Sequence, residues 1–410
     1  MLILGGGVIG LACAWFLLEA GRGVTVLEQG TIGCGSSHGN CGTLTPSHAA
    51  PLATPGVLGM ALRWLFKADA PLHIKPSLDP ARLRWLAAFA GRCNWRAFDR
   101  AVRAKTPLLL RSRALIEELV RKERLDCEFE ALGTLNVFGE ARGFDQACAL
   151  HERLAGAGLV ADMLDARATL AREPALKPGI AGALFHPGDA QLRPDRYVAE
   201  LARIVRAKGG VVVEGARVGR IGRDGARIAG VEASDGEFSG RDVVLALGSW
   251  SPTLARQLGV RLPIQPGKGY SITYTRPLLA PRIPMTLKEP SVCVTAWDSG
   301  YRLGSTMEFA GYDTRLNRAR LDALRRGAAR FLHEPEGPQV VEEWYGWRPM
   351  TPDDLPVIGR VPGIDNLVLA TGHGMLGVTM SAGTGMLVGE VVAGKSPSID
   401  IAPFSVARFG

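Results

Sequence analysis

The segment Met1-Leu-Ile-Leu-Gly5-Gly6-Gly7-Val8-Ile9-Gly10 decides the fold, because its glycines fall where a strand must turn into a helix around a phosphate. Residues 2–4 predict a buried parallel strand and residues 9–20 an apolar helix. Gly5 permits the tight turn, Gly7 lets the backbone approach a pyrophosphate, and Gly10 allows close helix–strand packing. Val8 and Ile9 open the helix, whose N-terminal amides and dipole would meet the phosphate charge. A second apolar run, Val24-Thr-Val-Leu-Glu28, ends on an acid eighteen residues beyond Gly10. A carboxylate there is placed to accept the ribose hydroxyls of an adenosine half. The glycine pattern alone is weak, but between a strand and a helix, with the acid at this distance, it is specific for a dinucleotide cradle.

Working outward, Gly33-Cys-Gly-Ser36-Ser37-His38-Gly39-Asn40-Cys41-Gly42 is too rich in small residues for regular structure. It suits a loop pressed against a flat ligand, so Ser36, Ser37, His38, Asn40, Gly42, Thr43 and Leu44 are expected to contact a cofactor. The pattern turns helical over 54–122, where Trp64, Phe66, Trp85, Phe89, Trp95 and Phe98 alternate with arginines. A strand is expected over 129–138 and helix again over 144–170. A second α/β stretch then begins with Arg193-Pro194-Asp195 opening a helix to about Lys208, followed by a strand at 211–213. A meander at 217–221 and 228–233 includes Val218, a further candidate cofactor contact. A buried strand over 242–247 stops at Gly248, and residues 262–345 read as strand-rich apart from a basic helix at 317–332. Another strand runs into Thr371-Gly372-His373-Gly374-Met375-Leu376-Gly377, with a helix expected over 381–393.

Three buried strands therefore end at glycine turns, near Gly5, Gly248 and Gly372, far apart in the chain. The simplest architecture joins them in one parallel sheet interrupted by insertions. A nicotinamide enzyme usually keeps its cofactor fold contiguous, whereas assembly from three pieces points to a large, permanently held cofactor such as FAD. The expected class is α/β with two domains. A Rossmann-like FAD-binding domain would be assembled from 1–56, 190–256 and 346–410, and a substrate domain of mixed sheet and helices from 57–189 and 257–345.

Bulk composition narrows the alternatives. At 410 residues, 47% apolar and 21% charged, the chain has ample material for two or three core-bearing units. Seven scattered cysteines, none spaced Cys-x-x-Cys, argue against a disulfide framework or structural zinc and for a reducing compartment. No His-x-x-x-His pair points to a metal. The apolar first 20 residues lack a basic leader and a small-residue cleavage site, and no other stretch is long enough to span a bilayer. A net charge of +8 raises the question of nucleic acid, but the lysines and arginines are spread without an aromatic-interleaved cluster. The expectation is a cytoplasmic enzyme without nucleic-acid partners, with peripheral contact on the inner face of the cell membrane left open.

Several blocks together resemble the D-amino-acid dehydrogenases, within the wider FAD-dependent amine oxidoreductases that include glycine oxidase and sarcosine oxidase. They are Gly5 to Gly10 with Glu28, Gly39-Asn40-Cys41-Gly42, Ala50-Pro51-Leu-Ala-Thr-Pro55-Gly56-Val57, Arg63-Trp64-Leu-Phe66 and Lys268-Gly269-Tyr270-Ser271. The C-terminal matches are Trp347-Arg348-Pro349-Met350-Thr351-Pro352-Asp353, Pro356-Val-Ile-Gly359 and Thr371 to Gly377. His38 departs from the small residue expected before Gly39-Asn40. Some relatives tether FAD through a histidine nearby, but the register here is one residue off, which favours non-covalent FAD.

The resemblance implies a small free D-amino acid as substrate, with a cyclic imino acid such as D-proline or a hydroxy-D-proline fitting this branch. It also implies electron transfer to a respiratory acceptor, a quinone or redox protein. An oxygen-using oxidase of glycine or sarcosine type, and a non-catalytic FAD relay subunit, are the alternatives. Arg348 matches the arginine that holds the substrate carboxylate in glycine oxidase and D-amino-acid oxidase, since a planar guanidinium offers two parallel charge-assisted bonds. It could instead be a structural arginine paired with Glu342 or Glu343. Tyr270 and Tyr301 are candidates for amine or carboxylate contacts or for packed core residues. The 372–377 loop offers amides to the negative charge of reduced flavin, with His373 shaping that loop. Lys268 either approaches the flavin or projects to solvent, the commoner fate of a lysine.

Overall fold

The computed structural model describes residues 1–59 and 72–410. The Arg63–Phe66 block of the family likeness, with Trp64 and Phe66, lies outside the described residues. The opening strand Leu2–Leu4 pairs in parallel with Thr25–Leu27 on one side and Val243–Leu245 on the other. Val243–Leu245 in turn pairs in parallel with Ile364–Thr371, so the three distant glycine-ended strands do lie side by side. Val211–Val213 and the antiparallel Val357–Val361 complete a six-stranded sheet.

These strands read as unbroken apolar runs because both faces are covered. Ile3, Val26, Val244 and Val368 pack against the helices Val8–Glu19, Trp95–Glu123, Pro194–Ala207 and Gly377–Val392. Leu2, Leu4, Leu27, Val243, Leu245, Leu367 and Leu369 face the opposite way, onto the three-stranded meander built on Val218–Asp224 and the short helix Ser251–Gln257. The first and last of the large helices touch closely because Gly385 presents no side chain to the carbonyl of Ala12, only 2.8 Å from where a Cβ would stand. Helix start and strand end are equally tight: a Cβ on Gly10 would collide with the carbonyl oxygen of Gly5.

A second, ten-stranded sheet carries the rest of the chain. Its longest ladder is the antiparallel pair Gln265–Tyr274 and Val340–Met350. Next to them lie Gly300–Gly304, Val292–Trp297, Met285–Leu287, Thr134–Phe138 and Gly182–His186. One face rests on a core that includes Ile272, Tyr274, Tyr301, Leu303, Leu321 and Leu324, the last two from the helix Arg318–Ala329. A local expectation changes. The helical reading of 144–170 resolves into helix Ala141–Ala155, strand Asp162–Asp165 and helix Ala166–Arg172, the second helix capped by Asp165 on the Ala168 amide. The strand Val340–Met350 also runs straight through the expected 345/346 division, since its ladder to Gln265–Tyr274 continues to Met350.

Candidate active site

The glycine-ended strands point into one cavity of about 1430 Å³, larger than the ~300–1,000 Å³ of ordinary small-ligand pockets. The ten-stranded sheet forms its other wall. Gly5, Gly7, Val8, Ile9, Glu28, Ser36, Ser37, Asn40, Thr43, Gly248, His373, Gly374, Met375, Leu376 and Gly377 line it at the end where the six-stranded sheet meets it.

The fit to a dinucleotide can be read from this end's own atoms. Gly7 leaves open space where a side chain would project, with only Ser37 Oγ at 3.4 Å, and Gly248 leaves nothing within 4 Å. Both turns therefore admit a ligand backbone-close, and Gly5 holds φ +111 as the cradle turn requires. Ser37 Oγ accepts the Val8 amide at 3.1 Å, tying the glycine-rich loop to the helix start. The Glu28 carboxylate accepts Gly6 N at 2.8 Å and Gly30 N at 3.0 Å. A carboxylate has about four lone-pair sites, so two such bonds orient it and leave capacity for ribose hydroxyls. Gly10 and Leu44 pack behind this wall, while Gly42, held at φ +75, turns the loop by donating its amide to Asn40 Oδ1 at 2.7 Å.

On the sheet wall, Arg348 lies opposite Gly267 in register and folds its guanidinium over Gly269, where any Cβ would stand 2.5 Å from both terminal nitrogens. Nη1 donates to Thr306 O at 2.9 Å and Nη2 to Ser305 O at 3.1 Å. Ser305 holds φ +119, a strained conformation for a non-glycine residue, and this turns its carbonyl onto the guanidinium. Among the described residues no carboxylate pairs with Arg348; Glu343 is taken by Arg318 and Arg325, and Glu342 by His38. Desolvation lowers the Arg348 pKa, opposed by the nearby Cys41 and Cys293. The guanidinium is thus half-buried, charged, seated on neutral carbonyls and still rich in unused donors. Thr306 Oγ1 and Trp347 Nε1, on residues that also line the cavity, are buried without a hydrogen-bond partner among the described residues.

Other sequence candidates land differently. Tyr270 touches the cavity wall, but its hydroxyl donates to Glu308 Oε2 at 2.6 Å, and burial raises its pKa first of all. Tyr301 points away from the cavity into the core beneath the sheet and donates to Pro335 O at 3.2 Å. Strand alternation sends it to the face opposite its neighbour Arg302. Val218 sits in the meander, not among the cavity-lining residues. His38 lies behind the loop with Nε2 2.8 Å from Glu342 Oε1, which raises its pKa. His373 is buried against Thr384 Oγ1 at 2.9 Å, and desolvation drops its pKa to about 3, so it holds the loop as a neutral ring. Lys268 does not project to solvent: it is buried, its Nζ donating to Arg315 O and lying 4.4 Å from the Tyr345 ring centre.

Several residues in and behind the cavity wall had no distinctive sequence signal. Arg302, fully buried, donates to the carbonyls of His38 (3.2 Å) and Asn40 (2.7 Å) and clamps the glycine-rich loop to the sheet. Cys293, Thr286, Asn136 and Trp344 line the sheet wall, and His48, His186 and Lys288 form a polar end, with Asn136 Nδ2 3.0 Å from His186 Nε2. No helix among the described residues is long and apolar enough to cross a membrane.

Known proteins share this geometry. The family model described as FAD dependent oxidoreductase (DAO) matches residues 1–391. A D-amino acid dehydrogenase of Rhizorhabdus wittichii is 37% identical over 417 aligned positions, covering 100% of both chains. One of Xanthobacter autotrophicus is 36% identical, covering 100% of this chain and 99% of its own. Among solved structures, glycine oxidase of Geobacillus kaustophilus superposes with a TM-score of 0.82 at 25% identity, covering 99% of this chain and 98% of that one. L-proline dehydrogenase of P. horikoshii gives 0.73 at 19% identity, covering 100% and 96%, a likeness of fold alone. The cleft built from separated strands, the cradle around Gly7 and the full-length match agree on the cofactor, FAD, and the chain belongs to the DAO family of FAD-dependent oxidoreductases.

Proposed function

We propose that this chain is a dehydrogenase of small free D-amino acids, yielding an imino acid that hydrolyses to the 2-oxo acid. The observation that carries the reading is Arg348: a half-buried guanidinium with no carboxylate partner among the described residues, facing the cofactor cavity. Such a group is under-compensated until an anion arrives, and its planar fork matches a carboxylate in two parallel bonds. Arg348 would fix the substrate carboxylate, while Met307, Phe309 and Trp344 supply apolar wall that disfavours the ammonium and keeps the amine neutral. FAD, when bound, supplies the hydride acceptor. Residues of the 372–377 turn and the start of helix Gly377–Val392 would direct backbone amides and the positive helix end toward the charge that reduction creates. The cofactor segments 1–56, 190–256 and 346–410 and the substrate segments 57–189 and 257–345 remain the working division, with the Arg348 strand serving both.

The D configuration follows the names of the full-length relatives, and D-proline or a hydroxy-D-proline is the substrate the branch resemblance favours. The acceptor in this reading is a quinone or redox protein, reached without a membrane span and open to peripheral contact at the inner face of the cell membrane. The structural likeness to glycine oxidase favours a second reading, direct use of oxygen. An anaerobic panel of D-, L- and N-methyl amino acids scored by loss of flavin absorbance tests the substrate class. Bleaching confined to D-amino acids, with turnover requiring an added dye or quinone, supports the proposal. Bleaching by L-amino acids alone overturns it, and rapid peroxide formation in air moves the chain to the oxidase reading.

A further inference from the structure

Two cysteines meet inside the cavity, and neither has a part in the chemistry above. Cys41 stands in the glycine-rich loop, Cys293 on the strand Val292–Trp297, and both line the cavity. The register places Cys293 directly opposite Gly304 on the neighbouring strand. Directly opposed Cβ positions in an antiparallel pair are about 5 Å apart. Cys41 Sγ lies 2.6 Å from the point a Cβ on residue 304 would occupy. The missing side chain of Gly304 is thus the niche that brings the Cys41 sulfur over the sheet, beside Cys293. A disulfide needs Cβ atoms roughly 3.5–4.5 Å apart, within a small adjustment of this arrangement.

The surroundings favour reaction. The Cys41 pKa is lowered, first by a hydrogen bond with Cys293 and then, against the opposing effect of burial, by the charges of Arg348 and Arg302, while the same hydrogen bond holds the Cys293 thiol up. An electropositive, cavity-facing thiol is the reactive kind, in contrast to Cys13 and Cys127, which burial pushes up to about 12. The pair also touches the machinery of substrate binding, because Gly304 immediately precedes Ser305, whose carbonyl holds Arg348.

We propose that Cys41 and Cys293 form a thiol–disulfide exchange site that takes small disulfides of the glutathione type and closes into an intramolecular bond over Gly304. The Cys41 thiol loses its proton and its sulfur attacks one sulfur of the small disulfide, releasing one small thiol and leaving a mixed disulfide. The Cys293 thiol then loses its proton and attacks the Cys41 sulfur, releasing the second small thiol. Two protein thiols are oxidised, one small disulfide is reduced to two thiols, and the two protons lost by the protein are those gained by the small thiols. The bond ties the cofactor loop to the sheet next to Ser305, whose carbonyl holds Arg348.

The test uses the full-length flavin-loaded protein treated with glutathione disulfide, acid-quenched, alkylated, digested and mapped by mass spectrometry. All seven cysteines begin as free thiols. The expected result is a Cys41–Cys293 linked peptide lacking two hydrogens, lost on treatment with dithiothreitol, with the flavin spectrum retained. In Cys41→Ser, Cys293 should remain alkylatable under the same treatment. The proposal is overturned if Cys41 and Cys293 both stay alkylatable while the exposed Cys34 is capped. A persistent glutathione adduct on Cys41, or loss of the Cys293 thiol in Cys41→Ser, overturns it equally. Because these readouts count thiols, they stand apart from any failure of the D-amino-acid reading.

Discussion

Replacing Gly269 with alanine probes the Arg348 assignment without touching the charge. Gly269 does not hold a positive φ, so its backbone accepts alanine. The added methyl would sit 2.5 Å from Nη1 and Nη2 of Arg348, where no methyl can remain. The obstructing atoms are the far end of a flexible side chain, so the guanidinium moves and the sheet stays. Moving it breaks its alignment with Ser305 O and Thr306 O and tilts the fork that receives the substrate. Losing one of two charge-assisted bonds to a carboxylate costs about 1.5–3 kcal/mol, which is roughly a 10- to 150-fold rise in KM. Steady-state kinetics with an artificial electron acceptor, alongside absorbance to confirm retained flavin, gives the answer. A folded, fully flavinated Gly269→Ala enzyme whose KM is within about twofold of the parent would refute the reasoning, since that change is below 0.5 kcal/mol.

Other perturbations test neighbouring parts of the account. Lys105, fully buried, donates to Asp354 Oδ2 at 2.7 Å beside the cavity. Lys105→Met leaves a mostly buried carboxylate uncompensated and should cost about 3–5 kcal/mol in denaturant titrations, with Lys105→Met/Asp354→Asn recovering much of it; a double variant no more stable than the single one contradicts the pairing. The His38–Glu342 pair has a pH signature. His38 is raised above its usual 6.5 mainly by its hydrogen bond to Glu342, so its share of stability is full below 6.5 and fades as pH rises through the raised value. Glu342 is lowered below 4.5 mainly by the same bond, so its share is present above 4.5 and fades as pH falls through the lowered value. Both side chains are about a third exposed, so the effect is small. The Tm gap between parent and His38→Gln should be widest between the two ordinary values, 4.5 and 6.5, and narrow as pH rises through the raised His38 value; a gap that does not narrow on alkaline titration removes the pair from the account. Gly385→Ala, crowding Ala12 O and Phe16, should lose about 1–3 kcal/mol of stability, and an unchanged midpoint would contradict the helix contact described here.

The cofactor half was readable because each of its elements carries a local rule. The strands at Leu2–Leu4 and Val211–Val213 are short apolar runs bounded by glycines, and the helix Pro194–Ala207 begins on a proline. Their side-by-side placement follows from the glycine turns, which all need the same cavity. The larger sheet was less legible. Gly300–Gly304 is buried on both faces, so alternation cannot say which of Tyr301 and Arg302 meets the ligand. Tyr301 went to the core and Arg302 to the loop carbonyls, the reverse of what a search for substrate-binding hydroxyls suggests. Lys268, whose sequence context left it either near the flavin or in solvent, has its water replaced by the aromatic faces of Tyr270 and Tyr345 and a carbonyl at Arg315. The motif begins at Gly346 while the strand pairing that carries it begins at Val340, so sequence alone could not show that one element spans 345/346. Cys41 stood inside a visible motif, yet nothing in the order of residues announces that Cys293 comes to meet it.

The central claim is that Arg348 receives the carboxylate of an amino acid at a flavin enclosed by distant segments of the chain. Anaerobic stopped-flow reduction of the bound flavin by a D-amino acid, in the parent and in Arg348→Met, tests it most directly. The account predicts that both proteins hold FAD in equal amount, and that half-saturation in the variant rises by roughly a hundredfold or more as both charge-assisted bonds are lost. Equal half-saturation in the two proteins, or a parent flavin that no D-amino acid reduces, would contradict it.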